Sequence, residues 1–538
     1  MLDKFHPSTK RKKLFFQLTF IVATIWTTLI NIMSLRLDPD PHHDGIILSS
    51  AMAVNQGKIP NLDFFSQYGP VTIWVNSIFV KIPGYELLTL RVSYFVLAAA
   101  IAAILIYSIE NKHKRLLLSA TLLLWLTSNP VWSSEPTNYF NYWPWPDLLN
   151  TLLLSLIYCI KVKRKDSMKY VFMGILITFS FYIKINFGII NSMVLGLLLI
   201  KNRKIVGVKN LKIFITTFVA ANTAAISLLF LQGSLAGFIE DCIKFPSQTY
   251  NPTFIDLLTN VLKMSFNPFT LVSAALLVSL IYIPKTKKIL LIPFLIAVTV
   301  GAIVVNQVTK PDYFSGKLLY LHVSVAFVET FFLYVLFKKS KEKGTTQNNQ
   351  ENSLALAICA ILNLVYIGDI FHLWLNAPLI LLAAISVTQS MKIKKIVYLM
   401  LAFLYVVNSY SAIENLFEQR VSIHQAPLMG MLVAQDQKYD YEEASGLLKS
   451  VENEKIDFAC PDGLFQVLTG RFLPDNYNPW FNDLSFNNLK NSDLIICIQN
   501  KEWVPKHITD NYTLIDEAVP KTSWSHWSSS SILYFRKN

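Results

Sequence analysis

The sequence predicts an all-α polytopic membrane protein with about 13 transmembrane helices, followed by a small extracytoplasmic α/β domain. Three observations carry this expectation. Apolar runs of span length recur between residues 14 and 410, separated by short Lys/Arg clusters. The chain of 538 residues is 53% hydrophobic with a mean hydropathy of +0.41, and only 15% of it is charged. Soluble domains carry about 25% charged residues, and a soluble chain of this size could not cover its surface with fewer. From residue 411 onward the spans stop and short β-rich runs replace them. Aromatic residues make up 13% of the chain, which excludes a disordered protein.

A helix crossing the hydrocarbon core needs about 20 mostly apolar residues. Runs that meet or approach this lie at 14–35, 85–109, 115–130, 147–160, 168–183, 186–200, 211–231, 268–283, 288–306, 317–337, 353–371, 373–390 and 394–410. The run at 14–35 is too long for a signal-peptide core and has no A-x-A site, so it reads as a retained anchor after a cytoplasmic segment 1–13. On this count every basic cluster (10–13, 112–115, 161–165, 201–204, 285–288, 338–343 and 392–395) falls on one side. The positive-inside rule makes that side cytoplasmic. The opposite loops hold most of the acids, among them Asp38, Asp40, Asp44, Asp63, Glu135, Asp147 and Asp241. The net charge of +13 is therefore a topology signal, and no nucleic-acid partner is expected. The chain is expected in the cytoplasmic (inner) membrane, with lipids around it. The polar stretch 344–350 reads as a cytoplasmic linker.

Segment 411–538 is expected to form the outer α/β domain. Its apolar runs at 456–459, 494–498, 512–515 and 532–535 have strand composition, and 441–451 has a helical pattern. Five cysteines (159, 242, 359, 460 and 497) with no CxxC exclude a disulfide scaffold or a thiolate zinc site. Cys460 and Cys497 lie near two of the strand runs and could bond if adjacent; unpaired buried thiols are the alternative.

The chemistry is expected in the first outer loop, 36–84. Three carboxylates (Asp38, Asp40, Asp44) and two imidazoles (His42, His43) fall within residues 38–44. Pro39 and Pro41 favour extended geometry for the residues before them. Gly45 follows Asp44 and opens an apolar stretch of helical period, so Asp44 sits like an N-cap. On spacing alone a plain cap explains Asp44 as well as catalysis does. A carboxylate at a lipid–water boundary is partly desolvated, which suits a general base. Asp40 with His42 or His43 could also hold a divalent ion, although the spacing matches no specific metal motif.

The stretch HHDGIILSSAMAVNQGKIPNLDFFSQYGP (42–70) resembles the first outer loop of GT-C fold glycosyltransferases. Glu86-Leu-Leu-Thr-Leu-Arg91 at the head of the second span, a G-x9-K-x3-G break at Gly174, Lys184 and Gly188, and Asp369-x-x-His372 followed by Pro378 extend the resemblance. In topology the chain is similar to lipid A aminoarabinose transferases and to bacterial relatives of protein O-mannosyltransferases. The likeness covers most of the chain at the level of spans but rests on residues mainly at 38–70. Two positions depart from the pattern. Many relatives carry acid-Lys-Pro-Pro where this chain has Gln67-Tyr68-Gly69-Pro70, so the phosphate-contacting lysine is missing at Tyr68. The Arg that often precedes D-x-x-H is replaced by Ile367.

The resemblance implies a transferase that takes a sugar from a polyprenyl-phosphate donor and passes it to the hydroxyl of a glycolipid, polysaccharide or protein. It implies Asp44 as the base, with Asp40 as the alternate, and no certain cofactor. The leaving phosphate needs cations or dipoles in a low-dielectric place. Lys184 is the first candidate, because a lysine at the edge of a span is costly; snorkelling to the interface is its other reading. Lys310 and Lys317, flanking Pro311-Asp312-Tyr313, stand second.

The loop Trp132–Asp147 is aromatic and acidic, as a sugar platform or an interfacial belt would be. Glu135 or Asp147 could supply a second acid, and Asp369 with His372 are either a buried polar pair or a wall of the site. His42, His43, Asp63 and Tyr68 complete the expected substrate contacts. Two other functions compete. A flippase of lipid-linked sugars would show charges deep in broken helices and repeated halves. A polysaccharide polymerase or ligase would show a large, basic, late outer loop. This chain concentrates acids in early outer loops and shows no repeat.

Overall fold

The computed structural model describes residues 9–40, 43–127, 144–164, 166–249, 345–365, 370–387, 405, 420–424, 426–433, 435, 456–459, 494–499, 504, 506–518 and 531–538. Each expected span that falls on these residues is a helix. The runs at 268–283, 288–306 and 317–337, and all of 394–410 except Tyr405, lie outside them, as does the helical pattern at 441–451.

Helix α1 (Thr9–Ser34) covers the first expected span, and α2 (His43–Asn55) and α3 (Pro70–Phe79) lie in the segment expected as the first outer loop. Pro70 occupies the first turn of α3, where its missing N–H costs nothing. The next helices are α4 (Glu86–Ser108), α5 (Lys112–Thr127), α6 (Pro146–Lys163), α7 (Met168–Ile183), α8 (Ile185–Lys201), the short α9 (Arg203–Val206) and α10 (Val208–Leu231). After α10 come α11 (Leu235–Ile239), a π-helix (Glu240–Lys244) and α12 (Phe245–Thr249). Helices α13 (Thr345–Val365) and α14 (Ile370–Val387) pack side by side and against α5, α6 and α8. Three described segments, Gln17–Ser34, Glu86–Ser108 and Val208–Leu231, are long and apolar enough to cross a membrane. The outward faces of α1 and α10 are rich in exposed apolar side chains such as Val22, Ile25, Phe230 and Leu231, as lipid-facing surfaces are.

The polar stretch 344–350 is not a linker from Thr345 onward: residues 345–350 are the first turns of α13. Glu351 pairs with Lys201 and accepts from Asn202 at the end of α8, so the polar end of α13 touches its neighbour.

Among the described residues after 420 there are two sheets. A ribbon pairs β1 (Val421–Ser422) with β2 (Leu432–Val433), antiparallel. All four apolar runs of the tail are strands: β3 (Ile456–Ala459), β4 (Leu494–Gln499), β5 (Tyr512–Ala518) and β6 (Ser531–Lys537), in the order β3-β4-β6-β5. Strands β3 and β4 are parallel, and the other pairs are antiparallel. With α15 (Lys506–Asn511) the sheet encloses a small core of Val504, Ile508, Tyr512, Leu533 and Phe535. Cys497 lies in β4, and Cys460 lies outside the described residues.

Candidate active site

The described candidates lie at one end of the helix bundle: the N-terminal ends of α2, α4, α6 and α14, the break between α7 and α8, and the loop before α3. The described basic clusters, 10–13, 112–115, 161–164 and 201–204, lie at the opposite ends of their helices.

The first group is built around Arg91, one turn into α4 and fully buried. A charge there is tolerated only if it is surrounded by acceptors. Its Nη1 donates to the Leu35 and Leu37 carbonyls at 3.1 and 2.6 Å, and its Nη2 donates to the Asp38 carbonyl at 3.0 Å and to Asp44 Oδ2. Asp44 Oδ2 also accepts the Asp40 N–H at 2.8 Å. Helix α2 starts at His43, so Asp44 lies inside the first turn rather than at the N-cap. Its carboxylate reaches back to the loop, because Arg91 and the Asp40 N–H hold it there. Burial pushes the Asp44 carboxyl above its ordinary pKa; Arg91 opposes this, and Asp40 adds to it. Asp38, Asp40 and Asp44 are all buried, and Asp38 is ion-paired with Arg420 from the tail.

The second group gathers four distant segments. Extended backbone at Lys184 separates α7 from α8, so the expected break is present. The Lys184 ammonium stands 5.8 Å from the Tyr68 ring centroid and 5.6 Å from that of Phe187, within cation–π range. Tyr68 meets Trp145 edge-on at 5.8 Å, and Trp145 meets the His372 ring at 5.8 Å. His372 Nδ1 is 3.0 Å from Asp147 Oδ2, and Asn376 Nδ2 donates to Asp147 Oδ1 at 3.1 Å. Asp147 and Lys184 attract one another. Among the described residues no hydrogen bond or ion pair reaches the Lys184 Nζ.

Asp63 belongs to neither group: its Oδ2 accepts the Ile59 N–H at 2.7 Å and shapes a local turn. That turn is fastened from outside. Asn61 donates to the Ser66 carbonyl and to Asp241 Oδ2, both at 2.8 Å, and the Ser66 N–H donates to the same carboxylate at 3.2 Å. Burial raises Asp241 to about 6. Two glycines allow the close approach. A Cβ on Gly237 would lie 1.7 Å from the Asn61 carbonyl oxygen, and one on Gly69 would lie 2.2 Å from that of Tyr182.

His42, Glu135, Lys317 and Asp369 lie outside the described residues, and His43 is placed only as the first residue of α2. Among the described residues no three of His, Cys, Asp and Glu gather to hold a metal ion. Sequence reasoning did not assign site roles to Arg91, Asn376, Asp241 or Arg420, and it named Trp145 only as part of an aromatic loop. Arg91 had a signal, a lone charge in an apolar span; Arg420 had none.

No family model matches the chain, and no curated protein matches it. Among solved structures it is similar to ArnT from Cupriavidus metallidurans in the apo state, with 12% sequence identity and a TM-score of 0.42 over 97% of this chain and 98% of that one.

Proposed function

We propose that the chain is an integral-membrane glycosyltransferase. It moves a sugar from a polyprenyl-phosphate donor to an acceptor hydroxyl at the outer face of the cytoplasmic membrane. The observation that carries this reading is the Lys184 ammonium. It rests over two aromatic rings without a hydrogen-bonding partner among the described residues, at the bundle end that also gathers the first-loop carboxylates. A cation so placed is ready for an anion that arrives from the lipid side.

In this reading the acceptor O–H gives its proton to a first-loop carboxylate, Asp44 or alternatively Asp40. Desolvation of Asp44 favours its protonated form, which strengthens it as a base. The acceptor oxygen then bonds to the anomeric carbon, the bond from that carbon to the phosphate oxygen breaks, and polyprenyl phosphate leaves with the negative charge. Lys184 receives that charge in a low-dielectric setting, where it is worth most. Tyr68 and Trp145 offer aromatic faces to the sugar, while His372 and Asn376 fix the Asp147 carboxylate.

The test is Asp44→Asn in lipid nanodiscs. Turnover is expected to fall by about 10²–10⁴-fold, the range for a lost general base, with donor binding retained. Turnover equal to that of the unsubstituted chain would remove Asp44 as the base.

A further inference from the structure

The carboxylate loop is closed by a residue from the far end of the chain. Arg420 Nη1 pairs with Asp38 Oδ2 across 382 positions, and both side chains are buried. Asp38 is held at its N–H, its carbonyl and one carboxylate oxygen. Its N–H donates to the Leu432 carbonyl at 2.9 Å, its own carbonyl accepts from Arg91 at 3.0 Å, and its carboxylate accepts from Arg420. The ribbon β1–β2 extends the grip: the Leu432 N–H donates to the Arg36 carbonyl at 2.6 Å, and Arg36 Nε donates to the Gly430 carbonyl at 2.8 Å.

The backbone at Asp38 shows why such a grip is needed. Its φ is +28°, a region that a side chain other than glycine seldom occupies. A residue stays there only when its surroundings fix it, and such positions cluster where geometry serves function. Asp38 is two residues before Asp40, and the arginine that binds its carbonyl also binds Asp44. The network runs from Arg420 to Asp38, then to Arg91, to Asp44 and to the Asp40 N–H.

We infer that Arg420 is a positioning residue: it holds Asp38 in the left-handed conformation and thereby sets the Asp40 and Asp44 carboxylates. Residues 420–424 and 426–433 are then a wall of the site. The inference rests on the proposed function only for its turnover arm.

The experiment uses the full chain in nanodiscs with Arg420→Gln, Arg420→Lys and Asp38→Asn; asparagine tolerates the same φ. Carbodiimide labelling of Asp38, Asp40 and Asp44, read by peptide mass spectrometry, is expected to rise severalfold in Arg420→Gln and to remain low in Arg420→Lys. In the turnover arm, kcat per folded molecule should fall by up to about 100-fold, as for a catalytic group displaced by about 1 Å, with donor KM nearly unchanged. In the Asp38→Asn background Arg420→Gln should lower kcat no further. Unchanged labelling in Arg420→Gln overturns the inference. So does a loss confined to the yield of folded protein, with kcat intact. An unsubstituted chain that transfers no sugar counts against the proposed function, and labelling then decides on Arg420.

Discussion

The Lys184 ammonium lies 5.8 Å from the ring centroid of Tyr68. Many relatives in the family that the sequence resembles carry a lysine where Tyr68 stands. In the proposed function Lys184, at the α7–α8 break beside the Tyr68 ring, takes the place of that lysine. If Lys184 serves the leaving phosphate, Lys184→Ala should lower kcat by about 10²–10³-fold, as for loss of a charge-stabilising donor. Tyr68→Lys in that background should restore part of it. Steady-state kinetics on both variants checks this; an inert second substitution would separate the two positions.

The Arg91–Asp44 pair predicts unequal costs for its two halves. Asp44→Asn leaves an amide oxygen to accept from Arg91 and from the Asp40 N–H, so the fold should change little. Arg91→Gln strips the donors from three carbonyls and leaves Asp44 buried without its cation. Breaking a buried pair costs about 3–5 kcal/mol. Thermal unfolding in nanodiscs should show Arg91→Gln melting well below Asp44→Asn. Similar melting temperatures would contradict the arrangement.

Asp241 predicts a pH dependence. Burial is the main cause that raises its carboxyl from 3.8 to about 6. Between these values the folded chain keeps a proton that the unfolded chain has lost. Stability should therefore decline as pH rises from about 4 to about 6, and this contribution should level off above. Asp241→Asn keeps an acceptor for Asn61 and Ser66 and removes the slope. Melting temperatures across that range test it; an unaltered slope would acquit Asp241.

Much of the fold was legible because the bilayer imposes one length on every span. The break at Lys184 was legible because a lysine between two apolar runs has few stable places. The four strands of the tail could be read from runs such as Leu494-Ile-Ile-Cys-Ile. Within the site, the first loop stood out through its packing of Asp, His and Pro. What could not be read was which distant group answers each of these. Arg420 lies in no motif, and its partner is 382 positions away. Asp147 was foreseen as an acid, but its hold by His372 and Asn376 depends on how α6 meets α14. The turn that Asp63 closes with the Ile59 N–H could not be read, because a turn-forming aspartate and a substrate-binding one share the same local composition.

The most direct measurement is a reconstitution in sealed vesicles with a polyprenyl-phosphate sugar labelled in the sugar and an acceptor bearing a free hydroxyl. The proposed function predicts that the label leaves the lipid, that polyprenyl phosphate appears in equal amount, and that Lys184→Ala slows both by about 10²–10³-fold. Movement of the intact lipid-linked sugar across the bilayer, with its sugar–phosphate bond unbroken, would contradict it.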